Sequence, residues 1–230
     1  MCRIARFGIV CWTALILSAS SARAVDTDVV INEIFYLGTA AEDWVELKNT
    51  GIETIDVSSW WLCARFNYNQ LSSLPLLDGD DLVLEPGEII TVGAGGNLND
   101  VSSDLGLYTF DDFDDPIDMV DFVQWGTSTD VGRPDVAADK GIWTEVSMDV
   151  YDFAPTAGAG EALAYCGTNS GGGLLTLSDD LANSAPTRGA ENTVPCPLFG
   201  DGFESGDTSG WSSAAPRQRL RKEAAGTQEP

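Results

Sequence analysis

Short apolar runs separated by turn signals fill most of this chain, and no stretch shows a long helical period. The runs cover residues 29–37, 43–49, 54–57, 60–66, 81–84, 88–92, 119–126, 161–166 and 174–177. Pro86 and Gly87 form a typical tight turn between two of them. Many short strands punctuated in this way predict a β-sandwich or barrel. Residues 127–160 have a weaker pattern, which predicts a loop with a short helix.

The first 24 residues have the composition of a secretory signal. Arg3 and Arg6 precede an apolar stretch from Phe7 to Leu17, and an Ala-Arg-Ala sequence ends at Ala24. We therefore expect residues 1–24 to be a cleaved signal peptide. A retained anchor helix is the alternative, but it needs about 20 apolar residues. No later segment is apolar enough to predict a transmembrane helix.

Acidic residues greatly outnumber basic ones, and the whole chain has a net charge of −24. Removal of residues 1–24 takes away three arginines and no acid, which leaves 9 basic and 36 acidic residues and a charge of −27. Such a surface repels nucleic-acid phosphates and anionic lipids, and it favours solubility and cations. We therefore expect no nucleic-acid partner. A hydrophobic content of 43% argues against disorder.

Three cysteines remain after signal removal, and an odd number in an exported protein permits one disulfide. Cys63 lies in an apolar run, which predicts a buried thiol. Cys166 and Cys196 both flank loops rich in glycine or proline and are the favoured disulfide pair. Three reduced thiols are the alternative.

The chain contains no histidine, which excludes Ser-His-Asp triads, Cys-His pairs and histidine-ligated zinc. It also contains no nucleophile elbow, no phosphate-binding loop and no dinucleotide fingerprint. An enzyme built from this sequence would depend on carboxylates, alone or with a divalent metal.

Two glutamates interrupt the first two apolar runs, at Glu33 and Glu46. Strict alternation predicts that Ile31 and Glu33 share one face of the first strand, and that Glu46 and Lys48 share one face of the second. If the strands pair, the carboxylates lie at a separation that glycosidases use. A structural role, or an exposed face with a Glu46–Lys48 ion pair, is the alternative.

The same stretches, taken in order, resemble the lamin tail domain in its bacterial exported form. The matching sequences are VVINEIFY, DWVELKNTG, IDVSSWWL, LEPGEIITV and VDFVQWG. SAPTRGAEN at residues 184–192 resembles the closing Pro-Thr-x-Gly-Ala-x-Asn segment of the family. The resemblance covers about residues 29–192, and it departs from the family at an acidic insertion before VDFVQWG.

This resemblance implies an immunoglobulin-like β-sandwich that acts as a non-catalytic interaction or structural module. It also implies a structural role for a set of motif residues. They are Glu33, Trp44, Glu46, Trp60, Gly87 and Trp125.

The acidic insertion offers candidate ligands for calcium, which takes six to eight oxygen atoms. The candidates are Asp111, Asp112, Asp114, Asp115 and Asp118. The run lacks the spacing of an EF-hand. A solvated acidic loop is the alternative.

The end of the chain differs in character from the rest. Residues 193–216 include FGDGFESGDTSGW, which resembles a short motif near the C-terminus of exported gram-negative proteins. We expect a recognition or sorting segment there; a tail strand that packs through Phe203 and Trp211 is the alternative. Residues 217–230 are basic and are expected to be disordered.

These observations predict an all-β, immunoglobulin-like sandwich at residues 25–192, followed by a short irregular tail. The leading hypothesis is an exported, non-enzymatic module in the periplasm, at the cell surface or in the medium. It would bind another protein or an envelope component, without a cofactor other than calcium. One alternative is a calcium-stabilised adhesin or carbohydrate-binding module with a glycan partner. Another is a carboxylate hydrolase that uses Glu33 and Glu46.

Overall fold

The computed structural model describes residues 28–39, 41–65, 67–96, 98–126, 132–148, 150–166 and 181–193. Strands β1 to β7 are Val29–Phe35, Trp44–Asn49, Ile55–Asp56, Trp61–Ala64, Asn67–Gln70, Leu76–Asp78 and Val83–Leu84. Strands β8 to β14 are Ile89–Gly93, Ser103–Tyr108, Met119–Trp125, Glu145–Ser147, Val150–Tyr151, Ala162–Tyr165 and Leu181–Ser184. The helix α1 is Pro134–Lys140, and a short 3-10 turn covers Leu71–Ser73.

Two antiparallel sheets make up the body of the molecule. One has six strands in the order β14-β13-β1-β2-β8-β6, and the other has four in the order β10-β9-β4-β5. The short pairs β3-β7 and β11-β12 form separate ribbons. The prediction of an all-β sandwich is therefore confirmed. No helix in the described ranges is long and apolar enough to cross a bilayer.

The core lies between the inner faces of the two sheets. On the six-stranded sheet, Ile34, Val45 and Val92 lie side by side across three strands. On the four-stranded sheet, Leu105 lies opposite Val123. All five side chains are fully buried. Burial of each such side chain stabilises the fold by about 1.5–3 kcal/mol.

A β-bulge in β1 changes the predicted faces of that strand. Ile31 pairs with Leu47, whereas Glu33 pairs with Glu46, so Asn32 is an extra residue without its own partner on β2. Leu47 and Glu46 are neighbours in sequence and point to opposite faces of the sheet. Because directly paired residues share a face, the prediction that Ile31 and Glu33 share a face is wrong. Ile31 points into the core, and Glu33 points to the outer face.

A buried carboxylate links the two sheets at this bulge. The backbone N–H of Ile31 donates to Oδ2 of Asp121 at 2.7 Å. The N–H of Phe122 donates to Oδ1 of Asp121 at 2.8 Å. Asp121 follows a second bulge, in β10, and is fully buried. Each bulge thus provides one side of a contact between the sheets.

Some elements were not predicted from the apolar pattern. Strand β9 is buried on both faces and central to its sheet, yet Asp104 and Gly106 interrupt its apolar run. The weak region after residue 126 contains α1, as expected, and also the β11–β12 hairpin. The predicted strand at residues 174–177 and the tail from residue 194 onward lie outside the described residues.

Candidate functional site

The two candidate catalytic glutamates lie directly opposite each other on the outer face of the six-stranded sheet. Glu33 in β1 pairs with Glu46 in β2, and both side chains are fully buried. Their cover is a segment that follows β14, residues 186–192, which we call the closing segment. It contacts the sheet from β13 to β6, through the hydrogen bonds and ion pairs described next.

Glu33 accepts hydrogen bonds from Thr187 of the closing segment. The backbone N–H of Thr187 lies 3.1 Å from Oε1 and 3.0 Å from Oε2 of Glu33. The Thr187 hydroxyl donates to Oε2 at 3.1 Å. One carboxylate thus holds a residue that is 154 positions away in the chain.

Glu46 joins the sheet to the next turn of the closing segment. Its Oε2 accepts the N–H of Gly189 at 2.7 Å and the Thr91 hydroxyl at 3.3 Å. Its Oε1 accepts the side-chain amide of Asn32, the extra residue of the bulge, at 2.6 Å. Gly189 has a φ of +75°, in the left-handed region that favours glycine. This conformation lets the backbone turn its N–H towards the carboxylate.

Asn192, the last residue of the closing segment, also attaches the segment to the sheet, through its side-chain amide. Asn192 donates to the backbone carbonyl of Asn32 at 2.7 Å and to that of Tyr165 at 2.8 Å. The Thr187 hydroxyl oxygen lies 2.9 Å from Asn192 Oδ1, which is an alternative acceptor for its single proton. The Thr, Gly and Asn of the sequence TRGAEN are therefore the residues that attach the segment to the sheet.

Two ion pairs lie beside these hydrogen bonds. Lys48 Nζ is 2.5 Å from Glu191, and Arg188 Nε is 2.7 Å from Asp78. In place of the Glu46–Lys48 ion pair considered as an alternative, Lys48 pairs with Glu191 of the closing segment. Glu191 is largely exposed, so this pair contributes at most about 1 kcal/mol.

Burial raises the pKa of both glutamates. For Glu33, desolvation raises the pKa to about 7; the hydrogen bonds from Thr187 oppose the shift, and the charge of Glu46 adds to it. For Glu46, desolvation also raises the pKa, against the hydrogen bonds from Asn32, Gly189 and Thr91. A glycosidase pair needs an open cleft between its carboxylates, whereas these carboxylates are covered and accept backbone N–H groups. The arrangement fastens a chain segment to a sheet.

The acidic insertion is an ordered loop at residues 109–118, which we call the acidic loop. Its anchor is Phe113, whose ring stacks on Tyr68 with centroids 4.0 Å apart. Phe113 also meets the rings of Trp61 and Tyr108 edge-on, at 6.0 and 5.1 Å. Aromatic pairs of this kind contribute about 0.5–1.5 kcal/mol each beyond area burial.

Arg133 connects the acidic loop to the body of the sandwich. Its guanidinium pairs with Asp114 and donates to the Tyr68 hydroxyl at 2.9 Å. Its backbone N–H donates at 2.6 Å to Asp104, a buried residue of β9 whose pKa is raised to about 6 by burial. Sequence reasoning did not find Arg133 or Asp104, because neither belongs to a recognisable motif.

The predicted calcium ligands are spread over the acidic loop. Asp111, Asp112 and Asp114 are exposed, and Asp114 already pairs with Arg133. Asp115 accepts the N–H of Ile117 at 2.8 Å, and Asp118 lies close to the Thr109 hydroxyl. Among the described residues, no group of three or more acidic, cysteine or histidine side chains is arranged to hold a metal ion. Calcium binding stays a prediction.

A thermal melt in millimolar calcium and in EDTA tests that prediction. We expect the two Tm values to agree within about 1 °C, because the candidate carboxylates of the described loop are not grouped around one point and Asp114 already pairs with Arg133. A difference this small corresponds to less than about 0.5 kcal/mol. Calcium at 100 times its Kd would instead add about 2.7 kcal/mol. For a domain of this size that is a rise of roughly 5–11 °C. A rise of that order that is lost in Asp111→Asn/Asp112→Asn would contradict this expectation and support calcium binding by the acidic loop.

The cysteines follow the predicted pattern as far as the described residues reach. Cys63 is a buried, reduced thiol in β4. Cys166 is disulfide-bonded. Its predicted partner, Cys196, lies outside the described residues, so this pairing stays a prediction.

The remaining motif residues occupy structural positions. Trp44 stacks on Phe35 with ring centroids 5.8 Å apart, and Trp60 is buried in the core. Gly87 has a φ of +81° in the turn before β8, and its N–H donates to the carbonyl of Asn49 at 2.9 Å. Trp125 is fully buried in the core.

Comparison of the chain with protein-family models, with curated proteins and with solved structures gives no match in any of the three. The resemblance to the lamin tail domain therefore stays a prediction. What can be said about function depends on the geometry described above.

Proposed function

We propose that this chain is an exported, non-catalytic β-sandwich, similar to a lamin tail domain, which binds another protein or an envelope component. The observation that carries this proposal is the use of Glu33 and Glu46. Both are buried beneath the closing segment and accept its N–H groups. The carboxylates best suited to catalysis by sequence thus have a structural use, which is what the resemblance implies for them.

The β11–β12 hairpin is the surface that best fits a protein partner. Its side chains Val146, Met148 and Val150 are 64%, 86% and 40% exposed. The base of the hairpin is fixed, because Trp143 Nε1 donates to the carbonyl of Asp152 at 2.9 Å. Exposed apolar side chains on a fixed ribbon are typical of a protein interaction surface.

Two further observations support the export and the choice of partner. The disulfide at Cys166 fits an oxidising compartment, in agreement with the signal-like residues 1–24. Several exposed aromatic rings on one sheet face would favour a glycan partner. Among the described residues, Phe110 is the one large aromatic side chain that counts as exposed, and it lies in a loop. A protein partner is therefore favoured over a glycan.

Photocrosslinking from the hairpin tests this function. A photoreactive amino acid at Met148, in the full chain exported by its own cells, is expected to capture one partner protein. The same amino acid at Ile52 is a matched control, because Ile52 is 84% exposed and lies between β2 and β3. The partner is then purified and its Kd measured. Val146→Ser/Met148→Ser is expected to weaken binding at least tenfold, which is about 1.4 kcal/mol.

Ile52→Ser serves as the control for the binding measurement, and we expect it to leave the Kd within about twofold, as for most surface substitutions. Equal capture from both positions, or an unchanged Kd in the hairpin variant, would contradict the assignment of this surface. Exported protein that captures nothing from either position would argue against a protein partner altogether.

A further inference from the structure

The opposition of Glu33 and Glu46 raises an electrostatic problem that the fold must solve. Side chains directly opposite each other in an antiparallel pair have Cβ atoms about 4.5–5.5 Å apart. Both carboxylates are fully buried, so water does not screen their repulsion. When two carboxylates share one site in this way, the first proton is lost easily and the second is held.

The surrounding charges do not neutralise this pair. Four charged groups face it: Lys48 from β2, Asp78 from β6, and Arg188 and Glu191 from the closing segment. These four form two ion pairs among themselves. From β13 the neighbour of Glu33 is Ala164, and from β8 the neighbour of Glu46 is Thr91. The two cations near the pair, Lys48 and Arg188, are thus each matched by an acidic partner of their own.

The two glutamates differ in how well their charged forms are stabilised. Glu46 accepts hydrogen bonds from Asn32 and Thr91 within the sheet and from Gly189 in the closing segment. Among the residues that the structure describes, Thr187 is the one that donates to Glu33. Glu46 is therefore the better site for the negative charge, and Glu33 the better site for the proton. The rise in the pKa of Glu33 to about 7 agrees with this division.

We propose that Glu33 and Glu46 form a proton-operated latch, in which one proton on the pair holds the closing segment on the sheet and its loss weakens that attachment. The direction follows from linkage. Ionisation of Glu33 occurs near pH 7 in the closed form and near the ordinary value of 4.5 once the segment has left and water enters. The closed form is therefore most favoured below pH 4.5, and this advantage is lost as the pH rises to 7.

Release of the latch uncovers Glu33 and Glu46 on the outer face of the six-stranded sheet. The closing segment spans residues 186–192, and Cys196, the predicted disulfide partner of Cys166, follows four residues later. With that disulfide formed, the released segment stays tethered to the sandwich at both ends.

Amide hydrogen exchange on the intact, disulfide-bonded protein tests the latch. After correction for the intrinsic pH dependence of exchange, the protection of the Thr187 and Gly189 amides is expected to fall on the order of 50-fold between pH 5 and pH 8. In Glu33→Gln, whose neutral amide resembles the protonated acid, the fall is expected to be less than about threefold. Unchanged protection in the wild type, or an undiminished fall in Glu33→Gln, would overturn the proposal.

Glu42→Gln is the matched control for this substitution. Glu42 also accepts an N–H and a hydroxyl from one threonine, Thr39, but it is exposed, and these hydrogen bonds lower its pKa. This variant is expected to keep the wild-type pH dependence at Thr187 and Gly189. A loss of the dependence in Glu42→Gln would show that any removal of negative charge has the same effect, and it would overturn the latch.

A second measurement needs no variant, in case Glu33→Gln does not fold. Carbon-13 NMR of the glutamate carboxyl groups in the wild-type protein reports each titration directly. The latch requires one glutamate that titrates near pH 7, together with a change in the Thr187 amide signal over the same range. Titration of every glutamate below pH 5 would overturn the proposal.

Discussion

Replacement of Trp125 by alanine is expected to lower the free energy of unfolding by about 3–5 kcal/mol, the usual cost of truncating a buried tryptophan. The indole is fully buried and stacks on Tyr36 with ring centroids 4.6 Å apart. Its Nε1 donates to the carbonyl of Asn99 at 2.9 Å. The loss comes from the missing apolar contacts and from the cavity that remains. In a thermal melt it corresponds to roughly 6–20 °C.

Trp125→Phe separates packing from hydrogen bonding at the same position. The phenyl ring keeps much of the contact with Tyr36 but leaves the Asn99 carbonyl without the indole N–H. We expect this variant to lose about 1–2 kcal/mol, less than the alanine variant loses. Urea unfolding of the three proteins gives the comparison. A loss below about 1 kcal/mol in Trp125→Ala would show that the two sheets do not depend on this contact.

Asp121→Ala is expected to cost about 3 kcal/mol, because it leaves two buried N–H groups without their acceptor. These are the N–H groups of Ile31 and Phe122, at 2.7 and 2.8 Å from the carboxylate. The first of them lies across the core, on the other sheet. The variant should therefore lower the urea midpoint without a change in the slope of the transition.

Two further variants define what Asp121 contributes. Asp121→Asn keeps the shape of the side chain and one acceptor oxygen. Its free energy of unfolding should lie between those of the wild type and the alanine variant. Asp112→Ala removes an exposed aspartate of the acidic loop and should stay within about 0.5 kcal/mol of the wild type. If Asp121→Ala and Asp112→Ala were equally mild, the contact between the sheets would contribute little to stability.

Local patterns in the sequence were sufficient to predict much of the β-structure. Alternating apolar residues and the Pro86–Gly87 turn predicted the β1, β2, β7 and β8 regions, because each pattern reflects a local backbone preference. Strand β9 was not predicted, because Asp104 and Gly106 interrupt its apolar run. Burial of this aspartate is tolerated because the backbone N–H of Arg133 donates a hydrogen bond to its carboxylate.

The bulge in β1 marks the limit of reasoning from periodicity. A one-residue insertion reverses the faces of the residues on either side of it, and nothing in VINEIF signals where the insertion falls. The contact of Ile31 with Asp121 accompanies the bulge and depends on a residue 90 positions away. Such a partner is brought near by folding and leaves no trace in the local pattern.

The sequence alone predicted the all-β class and the turns. It also predicted that Glu33 and Glu46 lie close together if their strands pair. Their chemistry was not foreseeable. Whether carboxylates on a sheet act on a substrate or hold the chain depends on what covers them. Here the cover is Thr187 and Gly189, about 150 residues further on. Only the folded chain brings their N–H groups to the acids, and the resulting loss of water sets the pKa of Glu33.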